Sequence, residues 1–302
     1  MNFFITGSSG FIGQNLIYKL KSLGHKIVGI DINDPQYVFP DEFIKGSFYD
    51  SKYLSYIDKV DCVIHLAADG GVPKSVKDPI GTLNTNVVAF VQLLEKIKNL
   101  KNNSRIRIIY ASSGGTVVGE SKSVISEDSI PKPKSPFGIS KFCTEMFSNY
   151  YEKNYNLDLV GLRFTNVYGP MMDKKPNFIS KLMLASINNN KLNIFGDGNQ
   201  SRDFIYIDDV IRSIIFAIES KFRGVLQIGT GTNISINQVL EKFSNVSSAR
   251  LPQINYEGQQ SGDVLHVKCL CKKAFEEIGF KSQTNFDLGL EKTYFWFKNI
   301  YQ

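Results

Sequence analysis

The sequence predicts a doubly wound α/β fold, in which a mostly parallel sheet is covered by helices on both faces. Three observations carry this. Short runs rich in Val, Ile and Phe recur through the first half and are almost unbroken in apolar character, as strands covered on both faces are. Stretches with apolar residues at helical spacing separate them, and such alternation implies right-handed βαβ units. A glycine-spaced loop joins the first run to the first helical stretch.

In chain order, strands are expected at 2–6, 26–31, 61–66, 105–111 and 157–164. The first helix follows from Ile12, Leu16, Ile17, Leu20 and Leu23, with Gly24 closing it. A second, over 82–100, follows from the stripe Val87, Phe90, Val91, Leu94 and Ile97, and a third spans 140–155. Past Gly169-Pro170 the rhythm loosens. A helix at 178–189, a strand at 191–195 and the glycine turn 196–198 precede a helix at 208–220 and a strand at 225–229. Ser235 reads as the N-cap of a helix running through Phe243, and helices near 272–278 and 288–299 end the chain.

Composition narrows the function classes. The 302 residues are 42% hydrophobic and 21% charged, an ordinary globular balance. No run approaches the ~20 apolar residues of a membrane span, and Phe3 to Ile5 is too short for a leader's apolar core, so a cytoplasmic protein is expected. The net charge is +6, but Lys132 and Lys134 are split by Pro133 and Lys272-Lys273 falls on an expected helix. No basic stripe results, which disfavours nucleic acid; an anionic small substrate suits the charge equally well. Cys62, Cys143, Cys269 and Cys271 offer no zinc spacing and read as free thiols, so no metal is expected.

The loop Thr6-Gly7-Ser8-Ser9-Gly10-Phe11-Ile12-Gly13 closes the first strand and opens the first helix. Gly7 permits the tight turn, Gly10 lets backbone approach a pyrophosphate, and Gly13 lets helix and strand pack closely. The helix opening then offers free N–H groups and a positive dipole end to phosphate. Asp31 ends the second strand 18 residues after Gly13; a carboxylate there accepts from ribose hydroxyls and repels a 2′-phosphate, favouring NAD over NADP. The competing reading is an acid that caps a turn with Asn33, Asp34 and Pro35.

This spacing resembles the extended short-chain dehydrogenase/reductase family, its NAD-dependent epimerase/dehydratase group, and the likeness runs in order along about 260 residues. His65-Leu66-Ala67-Ala68 resembles the segment beside the nicotinamide ribose, although His65 by itself reads as a buried, satisfied core histidine. Asp50 matches the acid that meets adenine, and Asn86 the residue that braces the active site. Asn166, within Leu162 to Pro170, matches a contact to the substrate diphosphate. Arg202, after Gly196-Asp197-Gly198, is similar to a phosphate-pairing arginine; alone it reads as a surface ion pair with Asp203. Gly262-Asp263-Val264 resembles a later substrate motif. The resemblance implies a Rossmann NAD-binding half over 1–168, with segments returning at about 205–230. An interleaved nucleotide-sugar lobe then covers 169–302. The nearest likeness is to UDP-sugar 4-epimerases, isomerases serving surface polysaccharide biosynthesis. It also implies a homodimer through helices 82–100 and 140–155.

The family's Tyr-x-x-x-Lys signature reads Phe137-Gly138-Ile139-Ser140-Lys141. The family's phenolate takes a sugar hydroxyl proton while hydride leaves for NAD, and the lysine lowers the phenol pKa and holds the ribose. Phe has no oxygen and cannot act as general base, so near-inactivity is expected. In Ser112-Ser113-Gly114-Gly115-Thr116-Val117-Val118-Gly119, Gly114 takes the slot of the tyrosine's hydroxyl partner, leaving Ser113 or Thr116 to supply that hydroxyl. Val118 stands where Tyr is common, and Gln260 where a phosphate-binding Arg is common. A sugar 4,6-dehydratase would carry an acidic pair where Gly114-Gly115 stand, and Asp31 disfavours an NADPH-dependent keto-sugar reductase. Two accounts of Phe137 compete. One is a substitution made in an active enzyme to trap substrate, favoured by the one-oxygen difference and the intact binding motifs. The other is a natural sugar-nucleotide binder without turnover.

Overall fold

The computed structural model describes residues 1–100, 106–119, 124–175, 177–246, 248–258 and 268–302. The chain runs β1 (Asn2–Thr6), α1 (Phe11–Ser22), β2 (Lys26–Asp31), β3 (Glu42–Lys45), a 3₁₀ segment (Ser51–Lys59) and β4 (Cys62–His65). Then come α2 (Val72–Lys77), α3 (Pro79–Leu83), a π turn (Asn84–Val88), α4 (Ala89–Lys98), β5 (Arg107–Ser113), α5 (Gly114–Val118), α6 (Pro136–Tyr155) and β6 (Asp158–Phe164). The remainder is β7 (Asn166–Tyr168), α7 (Phe178–Asn188), β8 (Leu192–Phe195), β9 (Ser201–Arg202), β10 (Phe204–Tyr206), α8 (Ile207–Glu219), β11 (Gly224–Ile228), β12 (Ile234–Ser235), α9 (Ile236–Ser244), β13 (Ile254–Glu257), α10 (Lys272–Ile278) and α11 (Phe286–Tyr301).

Seven parallel strands form the main sheet in the order β11-β6-β5-β4-β1-β2-β3. Because side chains alternate along a strand, each strand feeds two cores. Phe3, Ile5, Cys62, Ile64 and Ile109 face the core built with α1 and α8, whereas Phe4, Val63, Ile108 and Tyr110 face the core built with α4. The chain winds outward from β1 to β3 and then returns to β4 beside β1, so strand order reverses between β1 and β4. In open α/β sheets a crevice forms at such a reversal, beyond the carboxyl ends of the strands. Here that places Thr6, the glycine loop and the residues after His65 together.

The expected strands and helices form, with bounds moved by a few residues. Three differences have physical causes. β3 was not anticipated: Glu42-Phe43-Ile44-Lys45 is short and half-exposed, and pairing with β2 rather than its own pattern makes it a strand. The helix expected over 82–100 is three pieces, interrupted by the π turn at Asn84–Val88. The helix expected from 140 begins at Pro136, because the Ser135 hydroxyl accepts from Gly138 N at 3.2 Å and proline needs no N–H donor at a first turn. Ser235 caps α9 as expected, in a capping box with Gln238.

Candidate cofactor and sugar-nucleotide site

The glycine loop is fixed from within the protein at two of its three glycines. Gly7 has φ 71° and donates to Ile30 O at 3.0 Å; a Cβ there would stand 2.6 Å from Ala67 N. A Cβ on Gly13 would run into the carbonyls of Gly7 and Ser8. Gly10 differs: a Cβ there would meet only Gly7 O, at 3.2 Å. Packing therefore demands Gly7 and Gly13, while a Cβ on Gly10 would press on a single backbone oxygen. Gly10 is also the N-cap of α1 and brings no side-chain acceptor, so the first-turn N–H groups of Phe11, Ile12 and Gly13 lack a cap. This cradle fits a dinucleotide pyrophosphate.

Asp31 makes the turn contacts weighed for it. Its carboxylate accepts from Ser9 N at 3.0 Å and from Asn33 N at 2.9 Å, while Ser9 Oγ donates to Asn33 O at 2.7 Å. The acid at the end of β2 thus ties the glycine loop to the following turn, at the position from which a ribose would be held. Gln14 is a residue that motif reading missed. Its amide donates to Ser9 O and accepts from the backbone N–H groups of Gln36 and Tyr37, lashing the post-β2 segment to α1. Asp50 is half-buried, in a turn closed by its N–H on Ser47 O.

Beyond β4, Leu66 N donates to Thr6 O at 3.1 Å and Ala67 N to Thr6 Oγ1 at 3.3 Å, with Ala68 exposed after them. His65 is the satisfied core residue its sequence context implies. It is 3% exposed, shares a 2.8 Å hydrogen bond with Thr6 Oγ1, lies against Phe48 and Phe90, and burial pulls its pKa down to about 3. Asn86, inside the π turn, clamps the loop that follows. It accepts from Asp69 N at 2.7 Å and donates to Asp69 O and to Ser140 Oγ, and Ser140 Oγ donates to Phe137 O. The brace sits inside the bulge at 84–88.

Phe137 and Lys141 lie on one face of α6, four residues apart. Lys141 is 6% exposed; its Nζ donates to Ala111 O at 2.8 Å and stands 5.9 Å from the Phe137 ring centroid. Burial lowers its pKa to about 8, against an opposing pull from Glu145. Glu145, one turn further, accepts from Ser112 Oγ at 2.5 Å and from both arms of Arg163 at 2.9 and 2.8 Å, pinning α6 to β5 and β6.

The hydroxyl slot is altered in step with Phe137. Ser113 is the half-buried N-cap of α5, and the Thr116 hydroxyl is buried with no partner among the described residues. A Cβ on Gly114 would run into the Gln227 side-chain amide. Gln227, fully buried on β11, donates to Cys269 Sγ at 3.0 Å and to Arg163 O at 3.4 Å, and its N–H donates to the Glu127 carboxylate. Sequence motifs gave no sign of Gln227, since it comes from over a hundred positions away.

On the second half, Asn166 heads β7 with an exposed side chain; its N–H donates to Asp203 O at 2.9 Å. Arg202, on β9, donates to Ser201 O at 3.0 Å. The ion pair weighed between Arg202 and Asp203 is corrected here. The Asp203 carboxylate is fully buried and accepts from Thr230 N, Thr230 Oγ1 and Gly231 N at 2.8–3.2 Å, so it anchors the loop after β11. Asp263, with Gln260, Gly262 and Val264, lies outside the described residues.

A glycine cradle at the strand-order reversal, an acid closing β2 and a buried lysine on α6 define a nicotinamide-dinucleotide protein of the short-chain dehydrogenase/reductase type. The chain belongs to the NAD dependent epimerase/dehydratase family, whose model matches residues 3–229. It is 32% identical to a putative UDP-glucose 4-epimerase of Methanocaldococcus jannaschii, over 98% of each chain. Among solved structures, it superposes on UDP-glucose 4-epimerase of Thermotoga maritima with UDP-glucose at a TM-score of 0.92, with 30% identity and complete coverage of both chains. It also superposes on a Tyr-to-Phe mutant of UDP-glucuronic acid 4-epimerase from Bacillus cereus, bound to UDP-4-deoxy-4-fluoro-glucuronic acid and NAD, at 0.90, with 30% identity and complete coverage.

Proposed function

We propose that this chain binds NAD and a UDP-sugar in the frame of a 4-epimerase and holds them with little or no turnover. The observation that carries the reading is the pairing of an intact cradle with Phe137 at the tyrosine position. When bound, NAD supplies the hydride acceptor for C4 oxidation. The protein's part is to hold the adenosine ribose through Asp31 and the nicotinamide ribose through Lys141, to receive the sugar diphosphate near Asn166, Arg202 and Asp263, and to move one proton. Phe137 has no atom to receive that proton, and a missing general base lowers rate by about 10²–10⁴. Gly114-Gly115 in place of an acidic pair argues against dehydration, and Asp31 against an NADPH-linked reductase.

Gly114 and Gln227 favour the natural-binder account of Phe137 over a substitution made in an active enzyme. A single exchange of Tyr for Phe would leave the partner hydroxyl in place. Here that slot is a glycine whose missing side chain is replaced by a buried amide from β11. On this reading 1–168, with about 205–230, carries cofactor, and 169–302 carries sugar nucleotide. The exposed apolar residues Ile80, Leu83 and Val88, with Ile139, Met146 and Tyr150 on α6, support a homodimer packed through these helices.

Calorimetry with NAD and with UDP-sugars tests binding, and NMR of the anomeric signals tests turnover. Tight binding with no C4 epimer is the expected result. Rapid epimerisation by the unaltered chain, or no heat with NAD, would sink the reading.

A further inference from the structure

The loop between β2 and β3, residues 32–41, carries no helix or strand. Its backbone N–H groups therefore need partners from elsewhere. One side chain serves three of them. Gln14 is 4% exposed on α1, and its Oε1 accepts from the consecutive backbone N–H groups of Gln36 at 3.0 Å, Tyr37 at 2.7 Å and Val38 at 3.3 Å. Its Nε2 donates to Ser9 O at 3.0 Å. An amide suits this set, because it offers an acceptor and a donor on one planar group.

These contacts stand behind Asp31. Its Oδ2 accepts from Ser9 N at 3.0 Å and its Oδ1 from Asn33 N at 2.9 Å. Ser9 is tied to Gln14 through its carbonyl, and the chain shortly beyond Asn33 is tied to Gln14 through the Gln36 N–H. Both partners of the acid thus hang on one amide. The loop is also backed from outside. The Tyr37 ring packs edge-on against Trp296 of α11, with centroids 5.1 Å apart, and Lys21 Nζ donates to Phe39 O at 3.1 Å. A carboxylate discriminates against a 2′-phosphate by charge, and that repulsion falls with separation. An acid whose two backbone partners can shift therefore loses selectivity.

We propose that Gln14 is a positioning residue for cofactor choice: by holding Ser9 and the 36–38 backbone together, it fixes the Asp31 carboxylate where it favours a ribose hydroxyl and opposes a 2′-phosphate. Gln14 acts through Asp31 and needs no contact with the ligand. The inference rests on the NAD reading above and deepens it.

The test uses the full chain, Gln14→Met and Gln14→Ser, each titrated by calorimetry with NAD, NADP and UDP. Gln14→Met keeps the length of the side chain and removes its hydrogen bonds. Gln14→Ser leaves space in which water can pair the freed groups, and it decides the matter where the first variant does not fold. Melting curves check the fold. The unaltered chain should prefer NAD. In a folded variant the NAD-to-NADP affinity ratio should fall about tenfold, with UDP affinity unchanged. A merely structural role would weaken the ligands alike and leave the ratio where it was. An unchanged ratio, whether the affinities hold or fall together, overturns the inference. An unaltered chain that binds NAD and NADP equally also overturns it, while leaving the proposed function standing. An unaltered chain that binds neither cofactor overturns the proposed function and this inference together.

Discussion

The cofactor crevice and the proton-transfer corner lie at the same edge of one sheet, yet they differ in kind. At the crevice, packing fixes the loop: Gly7 and Gly13 have no room for a side chain, a Cβ on Gly10 would press on Gly7 O alone, and Asp31 locks loop to turn. At the corner, Lys141 and its Glu145–Arg163 buttress stand in place, but Phe137 brings a ring without an oxygen and Gly114 no side chain. Gln227 stands where a Gly114 side chain would go. On the proposed reading, the binding residues are kept because a ligand must be held, whereas the corner is under no such demand without turnover.

The largest test of this contrast is restoration. Phe137→Tyr alone should give little epimerisation, because its hydroxyl lacks a partner. Phe137→Tyr combined with Gly114→Ser and Gln227→Ala, which clears the clash, should raise the rate by about 10²–10⁴, read from anomeric NMR signals with NAD and UDP-sugar. Full activity from Phe137→Tyr alone would break the comparison, since the corner would then be one exchange from working order.

At the crevice the matching experiment is Gly13→Ala. The added methyl meets carbonyl oxygens of Gly7 and Ser8 rather than a movable side chain, so strain of about 3 kcal/mol is expected. Denaturant unfolding should show it, together with loss of NAD binding. An unperturbed midpoint would mean that the loop shifts cheaply and that Gly13 is not held by packing.

Much of this was legible in the sequence, for identifiable reasons. The strand–loop–helix with Gly7, Gly10 and Gly13 is contiguous, so spacing alone exposes it. Phe137 and Lys141 sit on one helix at a fixed interval, which the helical period exposes equally well. Asn86 was placed by its likeness to a motif, but the π turn from which it holds Asp69 and Ser140 leaves no sequence signature. Gln227, Gln14 and the role of Asp203 were invisible because each acts across strands or lobes, through partners between about 20 and 110 positions distant. β3 was missed because a four-residue, half-exposed run takes its state from its neighbour β2.

His65 sharpens the contrast, since it lies in the intact half but takes no part in proton transfer. Its folded pKa is about 3 against an unfolded value near 6.5. As pH falls below 6.5 the unfolded chain takes up a proton that the buried ring refuses, so this contribution to stability is lost progressively toward pH 3. Between pH 6.5 and 5 the loss should be about 1.6 kcal/mol. His65→Gln should lack that increment when unfolding is compared at the two pH values. An equal slope in both proteins would show the ring accepting a proton, as a residue open to solvent would.

The smallest expected effect decides what Asp31 is for. Its carboxylate already accepts from Ser9 N and Asn33 N, which would account for the acid without any ligand. Asp31→Asn keeps one carbonyl oxygen for those donors and removes the charge. If the residue only caps the turn, NAD affinity should be untouched and the melting temperature slightly lowered. If it also holds a ribose, NAD should weaken about tenfold, near 1.4 kcal/mol, while NADP, no longer repelled at its 2′-phosphate, should gain relative to NAD. The ratio of the two affinities is the informative quantity. Loss of the turn affects both cofactors alike, and only the loss of a charge beside the ribose moves them in opposite directions.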